Sequence, residues 1–161
     1  MGRATRVGSP VDQDGEFEEF VRRVEPRLRQ AMVGRVGPTA APDAVAEALT
    51  YAWQHWPRVS AMANPEGYLY RTAISRARQR RLRPDYPEPD PGRLPDIDPR
   101  LPAALASLSE RQRVVVFLVV ACDWSHRDVA EWLDISESSV RNHLRRGLDR
   151  LRKVMEVPTH A

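Results

Sequence analysis

Residues 123–146 have the sequence pattern of two helices joined by a tight turn. Ser125 is placed to cap the first helix, and Asp128 completes a capping box of the S-x-x-D form. Asp134 occupies the turn, where the backbone is often left-handed and where Asp is tolerated better than most residues. Ser136 is placed to cap the second helix. A buried stripe is predicted on that helix at Val140, Leu144, Leu148 and Leu151. The pattern predicts a helix-turn-helix.

The second helix of this motif is basic on the face opposite its apolar stripe. Between Arg141 and Lys153 the chain has six basic side chains and one acidic residue, Asp149. A lone basic helix is commonly just a solvated surface. The capped turn favours DNA contact instead, because the second helix of a helix-turn-helix lies in the major groove, where Arg suits guanine and Asn suits adenine. The candidates for base edges are Arg141, Asn142 and Arg145. The full set of candidate DNA-binding residues on the second helix is Ser138, Ser139, Arg141, Asn142, Arg145 and Arg146. The candidate phosphate-contacting residues are Arg111, Arg113, His126 and Arg127.

A proline-rich segment divides the chain. Residues 84–102 contain seven of the fourteen prolines, together with five acidic residues and two arginines. Proline interrupts both helices and sheet interiors, so this segment is predicted to be an extended, acidic linker. It separates a predicted N-terminal domain, residues 14–83, from a predicted C-terminal domain, residues 103–157.

Helical periodicity dominates both predicted domains. In the N-terminal domain it predicts a helix over 14–32, which Pro26 should kink or split, then a helix over 42–57 that Pro57 ends. After a short loop at 58–63, Asn64 caps a third helix that runs to about residue 83. The C-terminal domain is predicted to hold four helices, which span 101–108, 110–122 and the helix-turn-helix. No segment alternates with period two. The predicted fold class is therefore all-α, with two small helical domains joined by a proline-rich linker.

The composition argues against several function classes. Cys122 is the single cysteine, so no internal disulfide is possible, and the longest apolar run has nine residues where a membrane span takes roughly 20. Cys122 and His126 are four residues apart and could form a nucleophile and base or half of a metal site, but no second pair follows at ligand spacing. We predict no enzymatic activity, no metal and no cofactor. The single cysteine, the short apolar runs and the lack of a signal-peptide pattern predict a cytoplasmic, nucleoid-associated protein, and the net charge of +3 suits contact with phosphates.

Taken together, these motifs resemble a bacterial RNA polymerase sigma factor of the extracytoplasmic-function class within the sigma-70 family. The similarity is strongest in residues 105–113, 125–146 and 148–152, which look like region 4, the domain that reads the −35 promoter element. Residues 16–83 look like region 2. The segments that carry this second similarity are Tyr51–Trp53, Asn64–Ala73 and Arg76–Arg83.

The resemblance implies a sigma factor that binds core RNA polymerase and directs promoter-specific initiation. Its partners would be the β′ clamp and β subunit of the polymerase, double- and single-stranded promoter DNA, and, as a further candidate, an anti-sigma factor; no membrane is implied. The candidate polymerase contacts are Asp43, Glu47 and Gln54. The candidates for melting and capturing the −10 element are Tyr70, Arg71, Arg76, Arg78 and Arg80. Of Tyr68 and Tyr70, one is expected to be buried, and Tyr70 is assigned to DNA.

Two positions depart from the family pattern. Ala46 stands where family members usually have Gln on the second helix, and Ser75 stands where the third helix usually has Asn. These departures keep open an alternative, a degenerate sigma-like or helix-turn-helix DNA-binding regulator that does not form an active holoenzyme.

Overall fold

The computed structural model describes residues 10–80 and 98–155, with side chains from residue 13 onward. Most of the predicted linker, residues 84–97, lies outside these ranges, as do residues 81–83 and 156–157 of the predicted domains. No strand occurs in the described ranges, and the all-α prediction is confirmed. The elements are α1 (Pro10–Val36), α2 (Ala41–Gln54), α3 (Trp56–Ser60), α4 (Pro65–Gln79), α5 (Leu101–Ala106), α6 (Glu110–Val116), a π-helical segment (Phe117–Ala121), α7 (His126–Leu133) and α8 (Glu137–Met155).

Helix α1 continues through Pro26, so of the two predicted outcomes, a kink or a split, the split does not occur. Proline removes one helical hydrogen bond, but the helix has an uninterrupted buried stripe on both sides of it, and tertiary packing compensates for the loss. The buried side chains on that stripe are Phe20, Val24, Leu28 and Met32. They pack against α2 and α4 in the N-terminal module, the name used below for residues 10–80.

The chain between α2 and α4 also differs from the prediction. Pro57 does not end α2; it lies in the first turn of α3, a position that proline favours because its missing N–H would be unpaired there in any case. Residues 58–60, predicted as loop, therefore belong to α3. Asn64 caps α4 as predicted, because its Oδ1 accepts a hydrogen bond from the Gly67 N–H at 2.8 Å.

The C-terminal module, residues 98–155, packs α5, α6 and α7 around α8. Ser109 and Gln112 form the predicted capping box: the Ser109 hydroxyl accepts from the Gln112 N–H, and the Gln112 side chain accepts from the Ser109 N–H. The helix that follows changes to π geometry at Phe117. The first helix of the module ends at Ala106, two residues earlier than predicted.

The two modules contact each other and share one apolar core. Helix α1 packs against α6 and the π-helical segment, and α4 packs against α7. Gly34 permits the closest approach, because a Cβ atom there would lie 2.8 Å from Cδ1 of Phe117. Polar contacts also join the modules, through the pairs Trp124–Gln30, Asn64–Glu131, Arg27–Asp128, Arg35–Glu110 and Arg71–Asp134.

Candidate DNA interface

The turn between α7 and α8 has the geometry that the sequence predicts. Asp134 adopts a left-handed backbone conformation, with φ 53° and ψ 53°. The Ser125 hydroxyl accepts from the Asp128 N–H at 3.0 Å and donates to the Asp128 carboxylate at 2.8 Å. The Ser136 hydroxyl accepts from the Ser139 N–H at 3.1 Å, which caps α8. These local bonds fix the angle at which α8 leaves the turn.

Helix α8 is anchored on the body of the C-terminal module. Val140 is fully buried, whereas the rest of the predicted stripe is half-buried: Leu144, Leu148 and Leu151. Gly147 is buried at the contact with α6, and a Cβ atom there would lie 2.7 Å from Cγ2 of Val116. The absence of a side chain at Gly147 therefore allows α8 to approach α6 closely. This close approach sets the distance between α6 and the outer face of α8.

The outer face of α8 is solvent-exposed and basic. Arg141, Asn142 and Arg145 are exposed, as are Ser138 and Arg146, while Ser139 is half-buried. Arg145 donates to the Asn142 side-chain oxygen at 3.0 Å and lies 4.0 Å from the Asp149 carboxylate. Exposed pairs of this kind contribute about 0.2–1 kcal/mol, so these groups can exchange their partners for base edges at little cost.

The four predicted phosphate contacts differ in accessibility. Arg111 and Arg127 are exposed, and His126 is half-buried. Arg113 is only 8% exposed because it lies on the inner face of α6, among buried neighbours, so its assignment to DNA phosphate is wrong. Burial, and then the nearby guanidinium groups of Arg111 and Arg146, lower the pKa of His143.

Of the two tyrosines of α4, one is buried and one is half-buried, as expected, but the buried one is Tyr70, which was assigned to DNA. Tyr70 is 4% exposed and cannot stack on an unpaired base in this arrangement, because the C-terminal module covers it, while Tyr68 is half-buried. The Tyr68 hydroxyl donates to that of Tyr51 at 3.2 Å, Tyr51 stacks on His55 at 4.2 Å, and the Arg76 guanidinium lies 5.6 Å from the Tyr51 ring centroid. The sequence analysis missed this aromatic cluster. The four-residue spacing of Tyr51, in the last turn of α2, and His55, which caps that helix, was the signal for it.

Two of the predicted sites in the N-terminal module meet at one place. Arg80, predicted to contact the −10 element, forms ion pairs with Asp43 and with Glu47, which were predicted to contact polymerase. Gln54 is exposed on the same helix. Arg71 is exposed, but it lies 3.7 Å from the Asp134 carboxylate in the turn of the helix-turn-helix.

Comparison with known proteins identifies the C-terminal module. Residues 99–151 match the family described as Sigma-70, region 4. The C-terminal module is therefore similar to region 4 of the sigma-70 family. The fold as a whole is similar to that of the sigma factor RpoE from Bartonella quintana, solved in complex with the anti-sigma factor NepR, with a TM-score of 0.61 and 22% identity over 88% of this chain and 98% of that chain. No curated protein matches by sequence. The similarity of the predicted C-terminal domain to region 4 is therefore confirmed for residues 99–151.

The region 4 match contains the whole helix-turn-helix and every exposed candidate on α6, α7 and the first half of α8. It also contains Cys122, whose thiol pKa is raised by burial. A raised pKa disfavours the thiolate, the form that a nucleophile or a metal ligand requires. Within the described residues, no helix is both long enough and apolar enough to cross a bilayer.

Proposed function

We propose that this protein is a sigma factor of the extracytoplasmic-function class, which binds core RNA polymerase and directs promoter-specific transcription initiation. The observation that carries the proposal is the region 4 helix-turn-helix with an exposed basic face on α8. A capped turn and close packing hold that face rigidly, and a rigid recognition helix is what base readout in the major groove requires.

The proposed −35 readout depends on α8. Arg141 and Arg145 each present a guanidinium that can bond two acceptors of a guanine, and the Asn142 amide can bond adenine in the same bidentate way. Arg111 and Arg127 are exposed on the adjoining helices α6 and α7, and they would contact the flanking phosphates.

The N-terminal module would bind polymerase and capture the −10 element. The exposed side of α2, with Asp43, Glu47 and Gln54, is the proposed contact with the β′ clamp. For an unpaired base we now propose the half-exposed Tyr68, with Arg76 holding the adjacent backbone, because stacking and a nearby cation are the features that single-strand capture needs. The ion pairs of Arg80 with α2 are exposed, and polymerase could displace them at small cost.

The first experiment is size-exclusion co-elution of the full chain with sigma-free core RNA polymerase, followed by transcription from a randomised promoter library. We expect stable co-elution and transcripts that share two dissimilar upstream elements. Arg145→Ala should weaken discrimination at the upstream element by about 1–3 kcal/mol while leaving co-elution intact. Arg152→Ala is the matched control, because Arg152 is exposed on the same helix and also pairs with Asp149. If Arg145→Ala selected the same promoters as wild type and as the Arg152→Ala control, α8 would not be the helix that recognises the upstream element.

The runner-up function is a DNA-binding regulator that forms no active holoenzyme. It is favoured by Ala46, which is exposed on α2 at the position where the family usually has Gln, and by the pairing of Asp43 and Glu47 with Arg80. Such a protein would elute apart from core polymerase and would still bind duplex DNA through α8. An anti-sigma factor is a further proposed partner, supported by the similar fold of a sigma factor that was solved with one.

A further inference from the structure

A cavity of about 460 Å³ lies between the two modules, enclosed by α1, α4, α6 and α7. Its charged lining consists of four arginines and two carboxylates, a formal excess of two positive charges: Arg35, Arg71, Arg78 and Arg111 against Glu110 and Asp134. Concave sites for small ligands typically enclose about 300–1,000 Å³, so the cavity has room for a molecule of mononucleotide size.

The positive charge of the cavity is only partly neutralised. Arg35 pairs with Glu110, and Arg71 lies 3.7 Å from Asp134. Arg78 and Arg111 have no carboxylate partner among residues 10–80 and 98–155, and the two come from different modules. Burial is the largest cause that lowers the pKa of Arg35; Tyr70 and Glu110 raise this pKa, and the neighbouring Arg78 lowers it by a smaller effect.

Tyr70 supplies a buried donor to the same cavity. Its side chain is 4% exposed and lines the cavity. Burial raises its pKa to about 12, so the hydroxyl keeps its proton at neutral pH and can only act towards an anion as a donor. Because Tyr70 lines the cavity, its hydroxyl can donate a hydrogen bond to an anion bound there.

We propose that this cavity binds a small phosphate-bearing molecule. Its phosphoryl oxygens would accept hydrogen bonds from the Arg78 and Arg111 guanidinium groups, which bind phosphate in a bidentate manner, and from the Tyr70 hydroxyl. A doubly charged phosphoryl group matches the formal excess of two positive charges. The apolar part of the lining can contact an attached ring, through Ile74, Val114 and Leu133.

Such a ligand would connect the modules, because Tyr70 and Arg78 belong to the N-terminal module and Arg111 to the C-terminal module. It would therefore stabilise the arrangement in which the modules are in contact. The proposal rests on the cavity alone and does not depend on the protein being a sigma factor.

Isothermal titration calorimetry on the full chain tests the proposal, with inorganic phosphate, inorganic pyrophosphate and ADP titrated separately at matched ionic strength. We expect saturable one-to-one binding of at least one of them. Binding of pyrophosphate but not ADP would identify an inorganic ligand, and tighter binding of ADP would identify a nucleotide. Tyr70→Phe, which removes only the hydroxyl, should weaken binding about tenfold, and Arg111→Gln by at least that factor.

Arg152→Gln is the charge-matched control, because it removes an exposed guanidinium on α8, away from the cavity, and should leave the affinity unchanged. Circular dichroism establishes that each variant is folded. Three results would overturn the proposal: no saturable binding of any of the three probes, equal binding by wild type and both cavity variants, or binding of duplex DNA alone through these residues.

Discussion

Because α8 lies so close to α6, we expect the replacement of glycine by alanine to have opposite effects on stability at two helical positions. Gly15 and Gly147 both lie inside helices, where replacing glycine by alanine normally stabilises the helix by about 1 kcal/mol. A Cβ atom at Gly15 would meet nothing within 4 Å. A Cβ atom at Gly147 would lie 2.7 Å from Cγ2 of Val116, a distance that real Cβ contacts do not reach.

The magnitude follows from these two environments. Gly15→Ala should raise the free energy of unfolding by about 0.5–1 kcal/mol, since only the backbone changes. Gly147→Ala gains the same amount but must displace Val116, a β-branched and buried side chain that cannot rotate away freely. Overpacking of this kind costs about 1–3 kcal/mol. The Gly147→Ala variant should therefore be less stable than Gly15→Ala by about 1–3 kcal/mol.

Urea unfolding followed by circular dichroism measures both variants, with the slope of the transition checked for constancy. The double variant Gly147→Ala, Val116→Ala isolates the clash: removing the Val116 methyl groups should cost less in the Gly147→Ala background than in wild type. If Gly147→Ala stabilised the protein as much as Gly15→Ala, α8 would not pack against α6 as the structure has it. The outer face of α8 would then lie farther from α6.

Three further predictions concern single contacts. Gln30→Ala removes the acceptor of the buried Trp124 N–H and should lower the free energy of unfolding, measured in urea, by about 1–3 kcal/mol. An unchanged free energy of unfolding would mean that the two modules do not pack together. Ser109→Ala should cost about 1 kcal/mol by the same assay, because it removes the α6 cap. The Ser125 hydroxyl lowers the pKa of Asp128, which therefore stabilises the fold above about pH 4. The stability lost in Asp128→Asn, measured at several pH values, should shrink as the pH falls through the lowered pKa.

Features with local causes could be predicted from the sequence. The caps at Ser125, Ser136 and Asn64 and the left-handed turn at Asp134 depend on residues no more than three positions apart, and each of them is present in the structure. The helix-turn-helix could therefore be found without knowledge of the tertiary fold.

Features that depend on long-range packing could not be predicted. Tyr68 and Tyr70 are similar residues two positions apart, and Tyr70 is buried because residues from the other module, including Glu110 and Arg111, surround it. A local rule predicts a kink or a split at Pro26, and the buried stripe of α1 keeps the helix continuous through this residue. Sequence periodicity does not show which modules contact each other. Both the burial of Tyr70 and the continuity of α1 at Pro26 depend on tertiary contacts of this kind.

The contact between the modules bears directly on the proposed function. The outer face of α8 is exposed, so the recognition helix can reach a duplex without a rearrangement. The start of α4 is less accessible, because the Asn64 amide donates to the Glu131 carbonyl at 2.8 Å and Arg71 lies beside Asp134. A sigma factor must engage two separated promoter elements. We therefore infer that core polymerase has to replace these contacts with its own before the N-terminal module can take the −10 element, while −35 contact by α8 does not require that step.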